Sequence, residues 1–265
     1  MKKQFFRLFV LLGLLMLPAV SGMSLGVTKI EFDLQLNPGQ SEMMTFVVEN
    51  NEAMSRDISL SISDFREDVN GQMTFSDAGA LESSNADWIT FSPKQFTLDP
   101  RGRQEIQVTV NVPATAASGT TWSALLVHSA PTDTSIRETE SNPMVVKVLQ
   151  TVTSGASRNM RLENIELLNN DPLRLGVKMA NTGDEVLRNI LCQIEIRNTQ
   201  GDTVRNWIMP PITILPGDAR ISEVADVDGS MEALAPGTYI ALVIVDFGGD
   251  HLLASQHLFE VKAGE

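Results

Sequence analysis

The sequence predicts an all-β chain folded as two immunoglobulin-like antiparallel β-sandwich domains. Three observations carry this. Apolar residues alternate with polar ones at period two along most of the chain, and helical spacing is nearly missing. Turn-forming sequences punctuate the alternating runs at short intervals. A small polar stretch, Ser154-Gly155-Ala156-Ser157, divides the 265 residues into blocks that each match one sandwich in size.

The first segment reads as an address. Lys2, Lys3 and Arg7 precede the uncharged run Leu8–Leu17; Pro18 breaks it, and the small residues Ala19 and Ser21 follow. A positive start, a short apolar run and a small-residue exit describe a secretory signal peptide over residues 1–22. The run is too short to span about 30 Å of hydrocarbon, and no later stretch reaches 18 consecutive apolar residues. The mature chain is therefore expected without a membrane span, in the periplasm or, if there is no outer membrane, outside the cell.

From residue 23 the strands follow in order. Met44, Phe46 and Val48 alternate, as do Ile58, Leu60 and Ile62, and then Ile106, Val108, Val110 and Val112. Ala78–Ala86 reads either as a short helix or as an irregular loop. Beyond the seam come Leu173, Leu175, Val177 and Met179, then Ile190 to Ile196, then Tyr239–Val245. Turns fall at Asn37-Pro38-Gly39, Asn70-Gly71, Asn181-Thr182-Gly183, Gln200-Gly201-Asp202 and Gly248-Gly249. Leu98-Asp99-Pro100-Arg101-Gly102 and Leu215-Pro216-Gly217-Asp218 read as equivalent turns of a common fold. The expected domains are 23–153 and 158–265. Cys192 lies in phase with Ile190, Ile194 and Ile196, so it is expected to be buried and unreactive.

Charge and motifs exclude more than they assign. The chain carries 20 Lys and Arg against 33 Asp and Glu, a net charge of −13, and three of the bases fall before Gly22. Such a chain lacks the basic footprint that nucleic acid requires. No H-E-x-x-H, phosphate-binding or dinucleotide fingerprint occurs, so no enzyme and no cofactor is expected. His251 and His257 are read as sharing a strand face, without a carboxylate or cysteine at ligand spacing, so no metal is expected. Asp68-Val69-Asn70-Gly71 and Asp226-Val227-Asp228-Gly229-Ser230 echo a calcium loop but lack its later ligands, and read as hairpin turns. Asp64, Glu67 and Asp68 read as a solvated bend.

The run Met144–Val152 stands out. Met144, Val146, Val148 and Val152 make one apolar face, while Val145 and Leu149 put apolar residues on the other, around Lys147. A solvated face would be polar, so the strand is either buried on both sides against the second domain or an edge that binds a partner by strand addition.

Three passages resemble the N-terminal domain of PapD-like periplasmic pilus chaperones: Val27–Phe32 leading to Glu49-Asn50-Asn51; Trp88–Pro93 with Phe96-Thr97-Leu98 and Gly102, then Ile106–Pro113; and Trp122–Val127 ending at Pro131, then Met144–Val152. The resemblance implies that the last strand of the domain is donated to a subunit, with Val145 and Leu149 at the partner-binding strand. It further implies that Lys29 and Lys147 grip the subunit's C-terminal carboxylate; the family commonly has arginine at the position of Lys29. The second domain, through Pro236-Gly237-Thr238-Tyr239 and Val177–Gly183, is instead similar to generic bacterial Ig-like modules. The expected function is a secreted, non-enzymatic chaperone-like protein that caps pilus or surface subunits by β-strand addition. The alternative is a structural or adhesive Ig-like module that binds a surface protein or polysaccharide.

Overall fold

A computed structural model describes residues 25–133, 142–170, 172–226 and 234–262. The expected signal segment, most of the loop Thr132–Asn142 and the turn following Asp226 lie outside the described residues. The chain is an all-β protein of two β-sandwich domains. In the first, the strands are β1 (Leu25–Val27), β2 (Glu31–Leu34), β3 (Ser41–Asn50), β4 (Arg56–Glu67), β5 (Met73–Asp77), β6 (Ile89–Ser92), β7 (Gln95–Leu98), β8 (Arg103–Asn111), β9 (Gly119–Pro131) and β10 (Met144–Val152). One sheet has the order β1-β3-β8-β6; the facing sheet runs β2-β10-β9-β4-β5, with β7 also paired to β4. In the second domain follow β11 (Met160–Asn170), β12 (Leu173–Asn181), β13 (Leu187–Arg197), β14 (Thr203–Ile208), β15 (Ile212–Ile214), β16 (Ala219–Ala225), β17 (Gly237–Asp246) and β18 (Leu253–Val261). They form a β11-β12-β16 sheet against a β14-β13-β17-β18 sheet, with β15 on β13.

The alternation builds two cores. In β8, Ile106, Val108 and Val110 are fully buried while Glu105 and Gln107 face water; in β13, Ile190, Cys192, Ile194 and Ile196 turn inward together. Burial pushes the Cys192 thiol up to about 12, so at neutral pH it is a small apolar core residue. Ala78–Ala86 forms no α-helix; the segment ends in a single 3-10 turn at Ala86–Trp88.

The two domains share one polar device. At the end of β3, buried Asn50 donates from Nδ2 to the carbonyls of Met54, Leu98 and Asp99, and its Oδ1 accepts from Glu52 N. At the end of β12, buried Asn181 donates from Nδ2 to Glu185 O and Ile214 O, and its Oδ1 accepts from Gly183 N. The backbone N–H of each also reaches the far turn, Asn50 to Gly102 O and Asn181 to Asp218 O. One amide thus satisfies several carbonyls that would otherwise be buried without partners. The turns Leu98–Gly102 and Leu215–Asp218 are held in the same way.

Candidate functional site

The outer face of the six-stranded sheet has two ends of opposite character. On β4 the outward residues run Asp57, Ser59, Ser61, Ser63, Phe65; on antiparallel β9 they run Trp122, Ala124, Leu126, His128, Ala130. The apolar end carries Phe65, Trp122, Leu126 and Leu149, which pack against Val186 and Leu215 of the second domain, with Met73 and Val145 at the rim. Trp122 satisfies its indole by donating to Phe65 O at 3.0 Å. Backbone contacts fasten the same seam: Thr120 N donates to Asp184 O at 2.7 Å, Val186 N to Thr120 Oγ1 at 2.9 Å and Ile221 N to Val69 O at 2.8 Å. Two glycines allow this approach. A Cβ on Gly119 would meet Asp184 O at 2.9 Å, and one on Gly71 would overlap the Arg220 guanidinium; both residues have positive φ.

Ion pairs line the cleft beside this packing. Glu67 accepts from Lys147 at 2.5 Å and also from Arg220 of the second domain. Arg188 reaches Glu31 and Asp33, each at 2.8 Å. Burial raises the Asp33 carboxyl above its ordinary value, although Arg188 offsets part of the rise. Asp218 is likewise raised by burial, even though it accepts the Glu67 N–H. The bend Asp64-Glu67-Asp68 is therefore not the solvated cluster the sequence suggests. Asp64 is fully buried and accepts from Leu81 N, Ser84 Oγ and Ser123 Oγ. Glu67 sits in the cleft, and only Asp68 stays at the surface, capping its hairpin turn through Asn70 N and Gln72 N. The partners of Asp64 and Glu67 were invisible because they are far away in sequence.

The four residues singled out from the sequence fall in three environments. Leu149 is 1% exposed and lies in the domain seam, and Val145 is half-buried at its rim. Lys147 shares the outward face of β10 with them and stands 5.6 Å over the Phe65 ring, paired to Glu67. Lys29 lies between β1 and β2, exposed, with Nζ 4.8 Å from the ring centroid of Phe32. Phe32 is an inward residue paired with core Val148, whereas Lys147 projects from the outward face towards Glu67. Among the described residues no group of three His, Cys, Asp or Glu is placed to hold a metal ion. His251 and His257 do not share a strand face, because His251 lies in the turn before β18 and packs edge-on against Phe247. No helix among the described residues is long and apolar enough to cross a membrane.

Two features stay open. On β10, parallel pairing with β2 begins at Lys147, whose N–H donates to Ile30 O. By alternation the Val145 N–H and C=O point the same way, where no described strand pairs with them, and Pro143 has no N–H to offer there. At the polar end of the sheet, an open groove of about 970 Å³ runs across β7, β4 and β9 to Asn142 and Pro143. Register sets Thr97, Asp57 and Ala130 in one row, and Gln95, Ser59 and His128 in the next.

Solved structures of similar chain course include the YadV chaperone (10% identity, TM-score 0.45, covering 89% of this chain and 100% of that one). Another is the CsuC–CsuE chaperone–tip adhesion subunit pre-assembly complex from archaic chaperone–usher Csu pili of Acinetobacter baumannii (11%, TM-score 0.45, 92% and 100%). A third is the class 5 fimbriae chaperone CfaA (13%, TM-score 0.42, 91% and 100%). No curated protein matches the chain. Residues 27–129, which span most of the first sandwich from the end of β1 into β9, match the family model described as WxL Interacting Protein, peptidoglycan binding domain.

Proposed function

We propose that this protein is a non-enzymatic binding protein of the cell envelope whose first domain holds peptidoglycan and whose second domain is fastened to it as a rigid companion. The observation that carries the reading is the family match over residues 27–129, which takes in the strands of the six-stranded sheet except β10. The fastening follows from the apolar end of that sheet being sealed by Val186 and Leu215. Export by residues 1–22, to the periplasm or the cell exterior, fits this role. Co-sedimentation with purified peptidoglycan sacculi tests it: the two-domain protein should pellet saturably, and protein left wholly in the supernatant would refute the reading.

A second reading, capture of a surface or pilus subunit by β-strand addition, is favoured by the open edge at Val145. Lys147 at the cleft would then face the partner, and Lys29 would contribute only through its exposed ammonium. Because the Val145 N–H points away from β9, Val145→Pro removes the edge donor without costing a hydrogen bond to β9. Loss of an otherwise stable subunit complex in this variant supports strand addition, and an undiminished complex excludes it at this edge.

A further inference from the structure

We propose that the polar groove across β7, β4 and β9 is the glycan site of the first domain, and that it takes an N-acetylated sugar strand; this rests on the peptidoglycan reading above. The face is a lattice fixed by the backbone. Neighbouring strands lie about 4.8 Å apart and successive outward residues about 7 Å apart, so two rows of three positions present a patch of roughly sugar dimensions. The lining is dominated by hydrogen-bonding side chains: Asp57, Gln95, Thr97, His128 and Asn142 are exposed, and Ser59 lies between them. They offer both polarities. Gln95 and Asn142 carry amides that can pair with an acetamido group, and Asp57 is an acceptor for sugar hydroxyls.

Two internal contacts already orient the lattice. Thr97 Oγ1 donates to Asp57 Oδ1 at 2.6 Å, which leaves the second carboxylate oxygen for a ligand. Ser61 Oγ lies 3.3 Å from His128 Nε2. Ala130 and Pro143 supply apolar ground for the faces of sugar rings. Densely anionic polymers are disfavoured, because Asp57 is the only formal charge among the described lining residues and the protein as a whole is at −13. The groove also sits on the half of the sheet that the second domain leaves uncovered, so docking there needs no opening of the domain seam.

The test is titration of the two-domain protein with soluble peptidoglycan glycan strands, with dextran as the hydroxylated control lacking acetamido groups. The wild type should bind the glycan strands and not dextran. Asp57→Ala combined with His128→Ala should weaken binding at least tenfold, while Glu105→Ala, exposed on β8 of the facing sheet, should leave it unchanged. Asn142→Trp, which fills one end of the groove, provides an independent variant, and thermal melts establish that each variant is folded. If the wild type pellets with sacculi and the groove variants bind glycan strands as tightly as it does, the groove is not the site although the peptidoglycan reading stands. Equal binding of dextran would overturn the N-acetyl assignment. If the wild type binds neither sacculi nor glycan strands, the peptidoglycan reading itself fails.

Discussion

The two ends of one sheet face show how a single pair of strands can do two jobs. Strands β4 and β9 run through both ends, with the same inward core behind them. At one end they present Phe65, Trp122 and Leu126, and the second domain closes over these residues. At the other they present Asp57, Ser59 and His128, and the face stays open. The inward residues set the fold; the outward ones decide what is covered. The bulky apolar residues commit one end to an intramolecular contact, and the remaining polar end stays open to solvent.

The strongest way to break this comparison is to place the same charge at each end. Leu149→Glu buries a carboxylate in the seam and should cost several kcal/mol, read as a lowered denaturation midpoint, because an unpaired buried charge is expensive. His128→Glu, at the open end, should stay within about 0.5 kcal/mol of wild type. Comparable losses at both ends would mean that the polar end is also covered. The next effect down is Asn181→Ala. It orphans two buried carbonyls and should cost about 2–3 kcal/mol in chemical denaturation, with Asn50→Ala comparable in the first domain. A negligible loss at either would show that the shared turn device is not what holds that domain.

A smaller effect concerns pH. Asp33 and Asp218 have folded-state values raised above 3.8, so the folded protein favours their protonated forms. Their contribution therefore improves as pH falls from neutral through those raised values towards the ordinary one, and it is unfavourable above them. Asp218→Asn should flatten part of this dependence in melts across pH 4 to 7, without weakening the protein at neutral pH. A variant whose stability still tracks pH as the wild type does would remove Asp218 from the account.

The sheets were legible in the sequence because alternation is local: Ile106, Val108 and Val110 announce their own burial, and Cys192 follows from its neighbours' phase. The seam was half legible. The apolar residues on both faces of Met144–Val152 required a cover or a partner, and Leu149 is found under the second domain. The pattern Asp57, Ser59, Ser61, Ser63, Phe65 carried the boundary between the two ends, but its meaning depends on β9 lying beside it. The charged cleft was not legible. Glu67 meets Lys147 80 residues away and Arg220 153 residues away, and Asp64 meets Ser123 59 residues away. Residues joined over such separations look like a solvated acidic bend until the chain is folded.

Hydrogen–deuterium exchange of the two-domain protein, with and without soluble peptidoglycan glycan strands, tests the central claim most directly. The account predicts added protection in the stretches carrying Asp57–Ser61, Gln95–Thr97 and His128–Ala130, with exchange at the seam strand Lys147–Val152 unchanged. Protection confined to the second domain or to the Val145 edge, with none across β4, β7 and β9, would contradict it.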